Sequence, residues 1–127
     1  MDKDETITIG KNRKRSVGQD ESLTIGGKRE RNVAKEESVS IGKDQTVNVG
    51  ANRTITITKS DKLDIGKSLL ITAADDVTLK TGDASITMKK DGTIKIKGKD
   101  ISIEGSGKIT VKAASELTLK GSKVQEN

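Results

Sequence analysis

The chain is written in a register of eight. The segments Glu5-Thr-Ile-Thr-Ile-Gly10, Glu21-Ser-Leu-Thr-Ile-Gly26, Glu37-Ser-Val-Ser-Ile-Gly42 and Gln45-Thr-Val-Asn-Val-Gly50 share one template. Aligned on that period, a first inward slot reads Ile7, Arg15, Leu23, Arg31, Val39, Val47, Ile55, Leu63, Ile71, Leu79. A second reads Ile9, Val17, Ile25, Val33, Ile41, Val49, Ile57, Ile65, Ala73, Thr81. The position behind them is Gly10, Gly18, Gly26, Ala34, Gly42, Gly50, Thr58, Gly66, Ala74, Gly82, seven glycines in ten against a background usage of roughly 7%.

Each octad has a physical reading. Apolar-polar-apolar is a short half-buried strand, because side chains alternate between faces with period two. The glycine behind it predicts a sharp corner in a backbone conformation that a Cβ opposes. Polar pairs such as Lys43-Asp44 and Ala51-Asn52 then carry the chain to the next strand. Three-residue strands separated by corners do not make tight hairpins with a buried face. They make a solenoid, in which short strands wind about an axis and stack as parallel sheets.

Composition restricts what such a chain buries. Of 127 residues, 30% are hydrophobic, 34% are charged, and none is Phe, Tyr or Trp. A conventional core draws much of its buried area from aromatics, so this chain either buries small β-branched residues or stays unfolded. The fixed alternation of Ile, Val and Leu with Thr and Ser, and the absence of Pro, favour order. Cys and His are also absent, which removes disulfides and thiolate metal sites and gives no clue to redox compartment.

No apolar run approaches the ~20 residues of a membrane span, and the acidic start Met1-Asp2-Lys3-Asp4 is not a secretory signal. Export is then expected through a signal-independent machine or as a piece of a larger polypeptide. The net charge of +5, from 24 basic and 19 acidic residues, is densest at Lys11-Asn12-Arg13-Lys14-Arg15. Nucleic acid is not the expected partner, since no aromatic stacks a base and an acidic residue soon follows nearly every basic one.

The charges also distinguish one chain from three. Two residues before the first inward slot the sequence reads Glu5, Arg13, Glu21, Arg29, Glu37, Gln45, Arg53, Asp61. In a three-chain prism, octad n lies beside octad n+1 of a neighbouring chain. That arrangement creates only opposite or neutral pairs at this position. A single-chain winding with three octads per turn stacks residues 24 apart and sets Arg29 on Arg53 and Glu37 on Asp61, two repulsive pairs of five. Opposite charges across strands contribute roughly 0.2–1 kcal/mol each, and like charges cost similar amounts. The ladder Glu5, Arg13, Glu21, Arg29, Glu37, Arg53, Asp61 therefore predicts an intertwined parallel homotrimer. Its core repeat is Ile7, Ile9, Leu23, Ile25, Val39, Ile41, Val47, Val49, Ile55, Ile57, Leu63 and Ile65, and its turn glycines are Gly10, Gly18, Gly26, Gly42, Gly50, Gly66 and Gly82.

Arg15 and Arg31 interrupt the first slot at a spacing of sixteen. A buried, unpaired guanidinium is too costly, so they are expected in a hydrated channel or turned outward at distorted corners. Beyond Gly82 the apolar pairs Ile86/Met88, Ile94/Ile96, Ile101/Ile103, Ile109/Val111 and Leu117/Leu119 continue with a shifted register. The expected organisation is a regular octad β-helix over residues 5–84 and a tighter, drier continuation over 85–127. About fifteen such segments at ~4.8 Å each make a prism on the order of 70 Å long. It ends at a C-terminal tip formed by Leu117, Leu119 and Val124.

The octads, together with the run from Ile101 to Lys123, resemble the C-terminal part of VgrG, the spike protein of bacterial type VI secretion. The first part is also similar to the β-helical needles of contractile-tail phage spikes. The resemblance implies a parallel trimer mounted on a tail tube and driven through a target membrane by sheath contraction. Its route runs from the bacterial cytoplasm to the extracellular space or the target cell. It also implies a Pro-Ala-Ala-Arg-repeat (PAAR) protein or an effector on the C-terminal tip. The iron-binding tips of some phage spikes use histidines. With none here, no metal and no other cofactor is expected.

An enzyme is not expected, because carboxylate pairs such as Asp75-Asp76 have no histidine, cysteine or nucleophile motif around them. The Gly-Gly-x-Gly-x-Asp pattern of calcium-binding β-rolls is missing, as is the six-residue repeat of acyltransferase β-helices. The competing reading is a passive structural or adhesive trimeric β-solenoid stalk.

Overall fold

Corners fall at 10–11, 18–19, 26–27, 34–35, 42–43 and 50–51 in the computed structural model, which describes residues 3–127. Met1 and Asp2, which open the acidic start, lie outside the described residues. The chain divides into two compact units, Met1–Thr56 and Ile57–Asn127. In the first unit the bends keep the eight-residue interval without a slip. The segments between them have no strand partner among the described residues.

Exposure repeats with the same period. Second-slot side chains Ile9, Val17, Ile25, Val33, Ile41 and Val49 are 43–49% exposed, and first-slot Ile7, Leu23, Val39, Val47 and Ile55 are 57–68% exposed. Equivalent octad positions thus have equivalent exposure. Among the described residues no side chain is buried. The apolar stripe is a surface of the single chain.

The corner glycines depart from the expected strained conformation. Gly10, Gly18, Gly26, Gly42, Gly50 and Gly66 do not have positive φ, and a Cβ added at any of them meets nothing within 4 Å of the chain. Ala34, Thr58 and Ala74 bend at the same octad position. The corner is made from conformations open to any residue, so the chain's own backbone does not require glycine there.

The second unit begins in the same manner, with bends at 58–59, 66–67 and 74–75, and then changes. Strands β1 (Asp76–Thr81), β2 (Ala84–Lys89) and β3 (Ile94–Lys97) form an antiparallel sheet in the order β1-β2-β3. Gly82 and Asp83 form the two-residue loop between β1 and β2. Gly82 has φ 52 while Asp83 stays negative, the II′ pattern that suits strand twist. The β2–β3 connection is a turn closed by Gly92 N–H donating to the Lys89 carbonyl at 3.0 Å, with Gly92 at φ 90. That is the longer hairpin in which a residue with positive φ forms a bulge.

Residues 85–97 therefore do not carry on a corner-per-octad winding, and the expected regular stretch gives way at Asp76. The physical reason lies in the sequence around Gly82. The alternating runs Val77–Thr81 and Ala84–Met88 flank a Gly-Asp pair, and Asp91-Gly92 supplies the second turn. The eight-residue spacing of Ile86/Met88 and Ile94/Ile96 fits a hairpin as well as it fits a solenoid. After β3 the bends return at 99–100, 106–107 and 114–115, between the pairs Ile101/Ile103, Ile109/Val111 and Leu117/Leu119. Among the described residues all regular structure is strand, so the chain is all-β.

Candidate interaction surface

The exposed apolar stripe is one half of the candidate surface, and the backbone beneath it is the other. Outside the sheet, the backbone hydrogen bonds among the described residues are Lys89 N–H to Thr93 O, Lys90 N–H to Asp75 O and Gly92 N–H to Lys89 O. All of them belong to the β2–β3 connection or fasten it to the start of β1. Among the described residues, the octad backbone from residue 3 to residue 74 thus has no backbone partner. No strand pairing between residues 24 apart occurs among the described residues.

The ladder position is partly engaged within the chain. The Arg15 guanidinium sits 3.0 Å from the Glu21 carboxylate, and Arg31 pairs with Glu37 in the same way sixteen residues on. Each arginine reaches six residues forward, across the corners at 18–19 and 34–35, which bend as regularly as the others. The two interruptions of the first slot thus form a second motif with a period of two octads. Arg15 is 61% exposed and Glu21 44%. Lys28–Glu30 at 3.5 Å and Lys62–Asp64 at 3.2 Å pair across one intervening residue, on the same side of an extended segment.

Leu117, Leu119 and Val124 of the expected tip are 54%, 73% and 64% exposed. Two groups were not singled out in the sequence. Leu69 and Leu70 occupy positions that are polar or charged in the earlier octads, and Leu70 is 87% exposed. The other group is the three-stranded sheet, whose cross-strand register is Val77↔Met88, Leu79↔Ile86, Met88↔Ile94 and Ile86↔Ile96. An alternation count across Gly82 would have found it, since the apolar period of two runs unbroken on both sides of the Gly-Asp pair.

The sheet is tied at its open end. Lys90 Nζ lies 3.2 Å from Asp75 Oδ1, and Lys90 N–H donates to the Asp75 carbonyl at 2.9 Å. Thr93 N–H donates to Asp91 Oδ1 at 2.9 Å. That backbone hydrogen bond, together with the Thr93 hydroxyl, holds the Asp91 carboxyl below its usual value. The carboxylates at Asp75 and Asp91 are thus turn fasteners.

Ahead of the sheet the chain is a run of octads with a periodic apolar stripe and, among the described residues, no strand partner. It belongs to the bacteriophage T4 gp5 C-terminal trimerisation domain family, whose sequence model matches residues 1–73. Over 33 residues it is 64% identical to the type VI secretion system spike protein VgrG1b of Pseudomonas aeruginosa, a match covering 26% of this chain and 4% of that protein. Together these make the chain a spike C-terminal domain of the gp5 and VgrG kind. It spans a small part of the length of that relative. The family match stops three residues before β1, where the structure changes from octads to a self-paired sheet.

Proposed function

We propose that three copies of this chain intertwine in parallel as a β-helical needle, the puncturing element of a secretion spike. The observation that carries it is the octad backbone, which has apolar side chains at every repeat and, among the described residues, no backbone hydrogen-bond partner from residue 3 to residue 74. Membership of a trimerisation family supports three as the number. Burying a Val, Leu or Ile side chain contributes about 1.5–3 kcal/mol, so the repeated stripe drives association strongly.

The role is mechanical and non-catalytic. The needle crosses a target membrane transiently, with a PAAR-repeat protein or an effector seated on its C-terminal end. Its route is out of the bacterial cytoplasm through a contractile machine. Similarity to a type VI secretion spike protein supports that route.

Sedimentation equilibrium tests the assembly. Three chains per particle is the expected result, and a folded monomer persisting at micromolar concentration overturns the intertwined needle.

A further inference from the structure

The antiparallel sheet has two chemically distinct faces. Its register puts Val77, Met88 and Ile94 in one row and Leu79, Ile86 and Ile96 in the next, all on one side. No charged residue shares that side. The opposite side carries Asp76/Lys89, Thr78/Thr87/Lys95 and Lys80/Ser85/Lys97 and has no apolar residue. The apolar side is uncovered, with Leu79 59%, Ile86 41%, Met88 44%, Ile94 66% and Ile96 57% exposed. A sheet with one apolar face is stable when that face is packed on another layer.

We propose that this face packs against the same face of two other copies of the chain. From Asp76 to Lys97 the three chains then run side by side as self-paired sheets instead of winding through one another. The proposal rests on the trimeric reading of the octads and extends it to a segment beyond the family match.

Three observations choose the occupant. Within Ile57–Asn127 the sheet lies between two octad-like stretches, with corners at 58–59, 66–67 and 74–75 before it and at 99–100, 106–107 and 114–115 after it. Each stretch needs the same two partner copies, so a foreign protein on the sheet would have to displace them between two places where they are required. The apolar slots also continue without a break, from Leu63 and Ile71 into Leu79. Finally, Lys80, Lys89, Lys95 and Lys97 make the other face repel its own kind, so copies meet apolar side to apolar side and the lysines face water.

The consequence is a change in how the chains are held. Octads share every backbone hydrogen bond with neighbours, whereas β1–β3 keep theirs within one chain and share only side-chain packing. Such a segment fixes the register of the three chains, because each sheet presents a bounded patch and not an endless repeat.

The natural chain has no cysteine, so single substitutions report cleanly. Met88→Cys puts a thiol on the apolar face, and Thr87→Cys puts one on the lysine face a residue away. Both are made in the full chain, confirmed as trimers by sedimentation, and reacted with a small maleimide. Labelling at position 88 is expected to be at least about tenfold slower than at position 87, since reaction requires local opening of the packed faces. Equal rates in an intact trimer overturn the face-to-face packing while leaving the octad trimer in place, and faster reaction at position 88 does the same. A folded monomer with both thiols reactive overturns the trimeric reading itself. Ile86→Val, which keeps the face apolar, with Thr87→Cys as reporter, is expected to label like Thr87→Cys alone; slowed labelling there also counts against the assignment of faces.

Discussion

Arg15 and Arg31 stand where the repeat otherwise carries Ile, Leu or Val, and each is compensated by the glutamate six residues on. The guanidinium therefore needs no bound anion and no partner chain to balance it. Glu21 and Glu37 belong to the proposed inter-chain ladder and are already engaged by an arginine of their own chain. Glu5 and Arg13, by contrast, form no ion pair among the described residues. Two glutamates at equivalent octad positions thus do separable jobs. Glu21→Gln is expected to lose about 0.2–1 kcal/mol per chain, the range of exposed ion pairs. That loss should vanish near 1 M salt, where the screening length falls to about 3 Å. In the same thermal melts, Glu5→Gln reports on inter-chain pairing alone. A Glu5→Gln variant as stable as the natural chain at low salt counts against the ladder register, whatever Glu21→Gln does.

At the level of elements, the corner and the hairpin use glycine differently. Gly42 sits in a corner with no positive φ, a Cβ placed on it meets nothing within 4 Å, and Ala34 fills the same place one octad earlier. Gly82 has φ 52 in a two-residue loop, where an L side chain is strained. Gly42→Ala should therefore change stability by less than ~0.5 kcal/mol. Gly82→Val should cost at least about 1–2 kcal/mol. Urea midpoints compare the two directly. An equal cost at Gly42 means that a neighbouring chain approaches the corner closely enough to exclude a methyl group. This contrast also marks what the residues made legible. The places of the bends and the return of the rhythm after β3 follow from spacing alone, because the corners recur at the interval of the repeat. The sheet escaped that reading because its apolar pairs also fall close to the eight-residue interval, and spacing does not distinguish parallel stacking from antiparallel return. The Gly-Asp and Asp-Gly pairs at the turns held the missing information. The arginine clamps were invisible for another reason: a side chain reaching across a corner leaves no trace in period-two alternation.

For the whole molecule, the decisive issue is what covers the apolar side chains beyond the corner at 114–115. In the proposed trimer the octad strands draw their backbone partners from neighbouring copies. Leu117, Leu119 and Val124 stay exposed beyond that corner. Open strand edges beside apolar side chains invite uncontrolled pairing, so a cap over these side chains is part of the proposed needle. If that cap is the tip protein of a spike, its site lies beyond the corner at 114–115, and truncation after Lys112 removes it without touching residues 3–112. The truncated chain should still sediment as three copies, since the octads before the sheet and the sheet itself are intact. It should bind a candidate PAAR-repeat protein at least about a hundredfold more weakly than the full chain, the loss of roughly 3 kcal/mol expected when a central apolar anchor is deleted. Undiminished binding by the truncated trimer places the partner elsewhere on the chain. It also removes the main ground for preferring a cargo-bearing needle over a passive stalk, because a stalk has no need of a specific occupant at this end.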